Sequence, residues 1–185
     1  MKRDFSTEVG LIAIWNADSF SDIDTAEKYR ENFVYDKNML ALMNEGKLVV
    51  WGTGGDGSFT TTVRINPEHD LTEEEIPFVE MKSLGLKFIV ASGKVIIGTP
   101  EGVSFMEEKY LQDNYTALVE GLVPGKYLVN LYFLYHDEPI ELEKQEYADR
   151  LKIDPDFDKN GHIIVFKKVS DDYNFPEIKE LPQLG

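Results

Sequence analysis

Two segments in the middle of the chain constrain its fold most. Residues 88–100 read FIVASGKVIIGTP, and residues 122–135 read LVPGKYLVNLYFLY. Each segment joins a glycine turn to a run of β-branched and aromatic residues, which is typical of strands in a sheet that is covered on both faces. Along residues 126–135 both alternating sets of side chains are largely apolar, which predicts a central strand. These segments place the chain among β-rich globular domains.

Further strand and turn signals repeat along the rest of the chain, at a spacing of about eight to twelve residues. Strands are predicted at residues 9–15, 47–51, 58–65, 76–81, 86–90, 94–97, 115–120, 151–153 and 162–169. Glycine turns suggest hairpins between 47–51 and 58–65 and, through Ser92-Gly93, between 86–90 and 94–97.

Two short helices are also predicted. The first covers residues 25–33, because Asp24 stands three residues before Glu27 in the pattern of an N-cap. The second covers residues 37–44, with Asp36 as its cap and Gly46 as its stop. The prediction is a single globular domain, 1–185, that is mainly β: a sandwich or partly open barrel of antiparallel strands with one to three short helices at the edge.

Charge and composition restrict the partners. The net charge is −15, and the acidic residues are spread over both halves of the chain. Such a surface disfavours nucleic acid and anionic membranes and favours a basic protein partner, although solubility alone also accounts for it. The apolar run at 9–15 is too short for an export signal or a membrane span, so a soluble cytoplasmic protein is expected. The absence of cysteine excludes disulfides and thiolate chemistry.

A glycine-rich loop at residues 52–57 reads GTGGDG and matches the dinucleotide pattern G-x-G-x-x-G. That pattern requires a helix after the loop, and here a threonine-rich strand is predicted instead, which excludes the nucleotide interpretation. The loop is either a simple connection or a binding loop on a rigid sheet. In the second interpretation Trp51, Asp56 and Phe59 are the candidate ligand-binding residues.

An aspartate-rich segment at residues 156–163 matches the first eight positions of a calcium loop. Its candidate metal ligands are Asp156, Asp158 and Asn160, with Asp154 as a substitute. The twelfth position holds Lys167 where a bidentate glutamate is needed, so any calcium affinity is expected to be weak. The alternative is a turn that uses Asp, Asn and Gly for their backbone conformations.

No motif for catalysis stands out in the chain. His69, His136 and His162 are the three histidines, and they show no metal-ligand spacing. No serine motif of a hydrolase is present, and with 34 acidic residues any carboxylate pair is uninformative. A non-enzymatic protein without a cofactor, apart from weak calcium, is therefore expected, and a metal-assisted hydrolase is the least favoured alternative.

The middle of the chain also resembles a group of uncharacterised bacterial β-rich domains of unknown function. The resemblance covers residues 47–135 and rests on Gly55-Asp56-Gly57, on S-G-x-V-x-I-G-x-P at 92–100 and on P-G-x-Y-x-V at 124–129. Thr99 departs from the aspartate of that pattern. Some of these domains occur near secreted toxin systems, which implies an immunity-type role.

Two functional hypotheses follow. The first is an acidic protein-binding domain whose partner is basic, such as a toxin domain that it neutralises. The second is a small-ligand or carbohydrate-binding β domain that uses the loop at 52–57.

Overall fold

The structure, a computed structural model, describes residues 1–7, 10–23, 25–100, 102, 116–135 and 161–184. These residues form two β-sheets, one of five strands and one of four. The strands are β1 Lys2–Thr7, β2 Leu11–Asn16, β3 Leu48–Gly52, β4 Gly57–Ile65, β5 Val79–Val90, β6 Val95–Gly98, β7 Thr116–Val119, β8 Gly125–Leu134 and β9 Gly161–Lys168. The five-stranded sheet has the order β1-β4-β9-β8-β5, and the four-stranded sheet has the order β3-β2-β6-β7.

One hydrophobic core takes side chains from both sheets, and neither sheet closes into a barrel. The fold is therefore a β-sandwich, as predicted. The largest fully buried side chains include Trp15 and Trp51 of the four-stranded sheet and Phe5, Phe88, Tyr127 and Phe166 of the other.

The central-strand prediction for residues 126–135 is confirmed. Strand β8 lies between β9 and β5, and Tyr127, Val129 and Leu131 are fully buried. Phe133, which alternation places in the same row, is only partly buried. The apolar residues on the other face of β8 are covered as well, because Tyr132 and Leu134 belong to a second, smaller cluster.

Two helices lie between β2 and β3: α1 Ala26–Phe33 and α2 Asp36–Glu45. The cap of α1 is Thr25, whose hydroxyl accepts from the Lys28 amide at 3.3 Å, while Asp24 lies outside the described residues. Asp36 is in the first turn of α2 rather than its cap, which is Tyr35 without a side-chain bond. Gly46 ends α2 with a φ of 80°, a conformation that glycine adopts at low cost.

The predicted hairpins are wrong. Strands β3 and β4 belong to different sheets, as do β5 and β6, so both glycine connections carry the chain from one sheet to the other. Strand β1 was not predicted, and its partly polar sequence pairs with β4 along the edge of the sheet. The pairing of β4 with β9 is parallel, an exception to the expected antiparallel arrangement.

The strand predicted at 151–153 lies outside the described residues. Within the described part of the chain, no helix is long and apolar enough to cross a membrane.

Candidate functional site

The acidic loop, defined as residues 66–78, packs on the outer face of the five-stranded sheet. It begins at Asn66, whose φ is 47° and whose side chain accepts from the Lys168 amide at 2.7 Å. Leu71 then packs on the apolar cluster of β8 and β9, which consists of Tyr132, Leu134, Ile163 and Val165. This small cluster explains why a polar segment stays on the sheet.

Asp70 connects the acidic loop to two strands. Its carboxylate accepts from the Asn130 amide at 2.8 Å and the Tyr132 hydroxyl at 2.7 Å, and it forms an ion pair with Lys167 at 2.5 Å. Burial alone would raise the pKa of Asp70, but the bonds from Lys167, Tyr132 and Asn130 outweigh it and hold that pKa below its usual value. Asp70 is thus a charged anchor for the loop.

A second anchor joins the far end of the loop to β4. Arg64 donates two hydrogen bonds to the Glu75 carboxylate, at 2.9 and 2.5 Å, and a third to the backbone carbonyl of Asp70 at 2.6 Å. Glu75 also accepts from the Thr72 amide at 2.8 Å. Burial opposes ionisation of Glu75, but Arg64 and Thr72 lower its pKa overall.

These groups satisfy one another, which determines what the cluster can do chemically. The Tyr132 hydroxyl donates to Asp70, and burial together with that carboxylate raises the pKa of Tyr132 far above its usual range. The phenol therefore remains protonated and the carboxylate ionised at neutral pH. The cluster acts as a rigid support for the acidic loop.

Two concavities lie beside the loop. The acidic cleft has a volume of about 730 Å³, and its lining includes Glu68, Asp70 and Glu73 together with the apolar Leu71 and Ile76. The sheet cavity has a volume of about 320 Å³ and lies between the strands and residues 72–75. Both volumes lie within the range of small-ligand sites or of pockets for a partner's side chains.

Exposed apolar side chains continue from the acidic loop into the first half of β5. This apolar ridge is a run along the chain that consists of Ile76, Phe78, Met81 and Leu84, which are 59%, 37%, 37% and 50% exposed. It is not one strand face, because Met81 pairs with Phe133, which packs on the main core, whereas Val79 pairs with Leu134 of the smaller cluster. Tyr135, which is also exposed, lies at the same end of the sheet, because its amide donates to the Phe78 carbonyl at 3.0 Å.

The three ligand-binding residues predicted from the sequence do not form one surface. Trp51 is fully buried, and its ring packs against the His162 imidazole with centroids 5.7 Å apart. Phe59 is partly buried against the same imidazole at 5.4 Å, whereas Asp56 is exposed in the loop. The two aromatic rings thus pack around a core histidine, and Trp51 presents no face to the surface.

The predicted calcium ligands Asp154, Asp156, Asp158 and Asn160 lie outside the described residues, so that site stays a prediction. The residue at its twelfth position, Lys167, is described and forms the ion pair with Asp70.

The anchors of the acidic loop were missed because their members are far apart in the sequence. Asp70 is separated from Asn130 by 60 positions and from Tyr132 by 62. One signal could have found them: Asn130 and Tyr132 put polar groups on one face of an otherwise apolar central strand. Such groups need partners from elsewhere in the fold when they are covered.

No family model matches the chain, and no curated protein matches it. Among solved structures it is similar to a protein described as Crocagin biosynthetic gene J, with 17% sequence identity and a TM-score of 0.53. The match covers 92% of this chain and 96% of that chain. At this identity the similarity shows the fold alone.

Proposed function

We propose that this chain is a non-enzymatic binding protein whose acidic loop and apolar ridge bind a basic protein partner. The observation that carries the proposal is the apolar ridge, with four large apolar side chains exposed within residues 76–84. Exposed apolar surface bordered by charged residues is characteristic of protein–protein contact sites. Solubility explains the acidic charge but does not explain the ridge.

The charge beside the ridge determines the kind of partner. Glu68, Glu73, Glu74 and Glu80 are exposed there, and Lys82 is the basic residue among them. Asp70 and Glu75 add little to the surface potential, because Lys167 and Arg64 neutralise them. A partner rich in lysine or arginine is attracted to such a surface, and burial of the ridge contributes about 25 cal/mol per Å² of apolar area, from which the entropy cost of association is subtracted.

The edge of the sheet indicates how the partner docks. Strand β5 is the last strand of the five-stranded sheet as described, and its pairing with β8 is irregular between Val79 and Met81 and again between Ser83 and Leu86. Irregular pairing and charged side chains such as Glu80 and Lys82 are features that protect an edge from pairing with another strand. The partner therefore contacts side chains rather than adding a strand.

The two anchors of the acidic loop support this function. Asp70 and Glu75 hold the loop against the sheet before any partner arrives. Binding then costs less conformational entropy than ordering a free loop would. A secreted toxin domain is the basic partner that the sequence resemblance suggests.

A display library of fragments from the genome that encodes this chain tests the proposal. Fragments selected on the immobilised protein are expected to combine lysine or arginine with apolar residues. Their association rate is expected to fall steeply as ionic strength rises past about 0.15 M, where the screening length is about 8 Å. Duplex DNA and anionic vesicles are expected not to bind.

Matched variants locate the contact. The double variant Glu73→Gln/Glu80→Gln is expected to slow the association of a selected fragment. The double variant Ile76→Ser/Met81→Ser is expected to speed its dissociation. Glu27→Gln/Glu31→Gln removes the same charge from the exposed side of α1 and is the control. Selection of acidic fragments, or equal effects of the loop and α1 variants, would overturn the proposal, as would DNA binding that weakens with salt.

A further inference from the structure

A third concavity, the lysine pocket, lies on the outer face of the five-stranded sheet where β8 begins. Its volume is about 560 Å³, and it is bordered by the end of α2, by strands β5 and β8 and by residues 173–177. The acidic loop is anchored elsewhere on this face, because Asp70 contacts Tyr132, about 20 Å along β8 from Lys126. The residues that line the lysine pocket belong neither to that loop nor to the apolar ridge.

Two lysine side chains from neighbouring strands line this pocket. The register of β5 and β8 places Lys87 opposite Leu128 and Ile89 opposite Lys126, so the two lysines are diagonal neighbours on one face of the sheet. The Cα atoms of such neighbours are about 7–8 Å apart. At this spacing two long side chains reach a single anion between them.

Both ammonium groups already donate hydrogen bonds, but only to neutral acceptors. Lys87 donates to the backbone carbonyl of Asn44 at 2.9 Å, and its Nζ lies 6.0 Å from the centre of the Phe175 ring. Lys126 donates to the backbone carbonyl of Asp171. Among the residues that the structure describes, neither ammonium group has a carboxylate within ion-pair distance. Because each ammonium group has three N–H donors, both keep donors and positive charge for a bound anion.

Two exposed carboxylates limit the charge of that anion. Glu177 lines the pocket. The pKa of Asp172 is lowered by hydrogen bonds from Ser170 and from its own amide, and by Lys126 only after these, so Asp172 lies near Lys126 without pairing with it. These two charges offset part of the positive potential of the lysines, which favours a ligand with one negative charge over a polyanion.

An aromatic wall faces the lysines. Tyr173 is 39% exposed, and its ring meets the Phe175 ring edge-on with centroids 4.9 Å apart. Ile89 adds an apolar side chain from the sheet. The wall is held in place by the Asn44 side chain, which donates to the Ile178 carbonyl at 2.9 Å and accepts from the Ile178 amide at 2.8 Å. The pocket is therefore formed before a ligand enters, which lowers the entropy cost of binding.

We propose that the lysine pocket binds a small aromatic carboxylate with one negative charge. The carboxylate accepts hydrogen bonds from Lys87 and Lys126, and the ring packs against Tyr173, Phe175 and Ile89. A simple inorganic anion would leave the aromatic wall uncovered, and a neutral ring would leave the ammonium groups without a counter-charge. The volume of about 560 Å³ lies within the range of small-ligand sites.

Calorimetry with benzoate at millimolar concentration tests this proposal, and saturable heat is expected. Benzamide has the same shape without the charge and is expected to bind at least about tenfold more weakly. Cyclohexanecarboxylate, which keeps the charge but not the aromatic ring, and terephthalate, which carries a second negative charge, are each expected to bind more weakly than benzoate. Inorganic phosphate is expected to give no heat.

Four variants and a control assign the binding to this pocket. Lys87→Met and Lys126→Met keep the aliphatic part of the side chain, and each is expected to raise the dissociation constant for benzoate at least about tenfold. Tyr173→Ala is expected to weaken binding, and Glu177→Gln to strengthen it, a gain that an unfolded variant cannot give. Lys179→Met makes the same change at an exposed position outside the pocket and is expected to leave binding unchanged. Thermal unfolding of each variant checks that it is folded.

Several outcomes would overturn the proposal: no heat with benzoate, equal binding of benzoate and benzamide, or equal effects of Lys179→Met and Lys126→Met. Binding of cyclohexanecarboxylate or terephthalate as tight as that of benzoate would likewise contradict it. The double variant Glu73→Gln/Glu80→Gln is expected to bind benzoate as the wild type does. Failure of this proposal is therefore distinguishable from failure of the apolar ridge to bind a basic partner.

Discussion

The imidazole of His162 binds the C-terminal segment of the chain: its Nε2 lies 3.0 Å from the carbonyl oxygen of Leu184, and both residues are buried. Because a carbonyl oxygen only accepts, Nε2 carries the proton and donates it. The Leu184 amide in turn donates to the Gly52 carbonyl at 2.8 Å, so this segment lies along the end of β3. His162 thereby connects β9 to a segment that covers the core.

This burial predicts a pH dependence of stability. Burial lowers the pKa of His162 to about 4, although the hydrogen bond to Leu184 opposes that shift. The folded chain thus keeps His162 neutral, while the unfolded chain takes up a proton below pH 6.5. The free energy of unfolding is expected to fall as pH drops from 6.5 towards 4, by about 3 kcal/mol in all.

Urea unfolding at pH 7.0, 6.0 and 5.5 measures this fall in the free energy of unfolding, in a pH range above that in which most carboxylates titrate. His162→Gln is expected to remove this slope of the free energy of unfolding against pH. His69→Gln, at an exposed position, is expected to keep it. An unchanged slope in His162→Gln would contradict the assignment.

Removing the charge of Asp70 is expected to loosen the acidic loop. Asp70→Asn leaves the Lys167 ammonium without its carboxylate and weakens two further bonds, from Asn130 and Tyr132. The expected loss is about 1–3 kcal/mol in the free energy of unfolding. Glu68→Gln, exposed in the same loop, is expected to change it by less than about 0.5 kcal/mol. Equal values for the two variants in urea unfolding would show that the anchor is unimportant.

Gly161 is expected to tolerate no side chain. Gly161→Ala would force the β4 and β9 backbones apart, at a cost of about 1–3 kcal/mol, since the new Cβ meets a carbonyl oxygen rather than a movable side chain. Gly55→Ala is the control, because a Cβ there meets no atom within 4 Å. Thermal unfolding compares them, and equal melting temperatures would refute the steric argument.

Leu131 tests the importance of the central strand. It is 1% exposed within β8, so Leu131→Ala is expected to cost about 2–5 kcal/mol through lost burial and a new cavity. Leu84→Ala removes the same atoms from a side chain that is 50% exposed and is expected to cost far less. The prediction fails if denaturant midpoints of the two variants coincide.

Calcium binding near Asp156 is expected to be weak, with a dissociation constant in the millimolar range. The twelfth position of the loop pattern is Lys167, and its ammonium is already paired with Asp70 at 2.5 Å, so this position offers no carboxylate to the ion. Calorimetry of the wild type against Asp156→Ala measures this. Micromolar affinity would contradict the weak site, and absence of any heat would exclude it.

Local patterns determined much of the fold. The apolar alternation of residues 126–135 predicted β8 and its central place, because a strand buried on both faces needs apolar residues on both. Gly46 predicted the end of α2, because a left-handed residue there favours glycine. These features depend on neighbours in the chain, and a sequence displays them directly.

Strand pairing and the candidate sites depended on the tertiary structure. The glycine turns at 53–56 and 91–94 looked like hairpins, but they connect two sheets, since pairing is decided by which faces the whole core can bury. Trp51 was predicted to be an exposed ligand contact, but its side chain is buried, and this burial also depends on which faces the whole core covers. Composition and residue pattern predicted a mainly β, acidic domain. The meeting of Asp70 with Asn130, Tyr132 and Lys167 depends on the complete fold, because long-range hydrogen bonds leave no periodic trace in the chain.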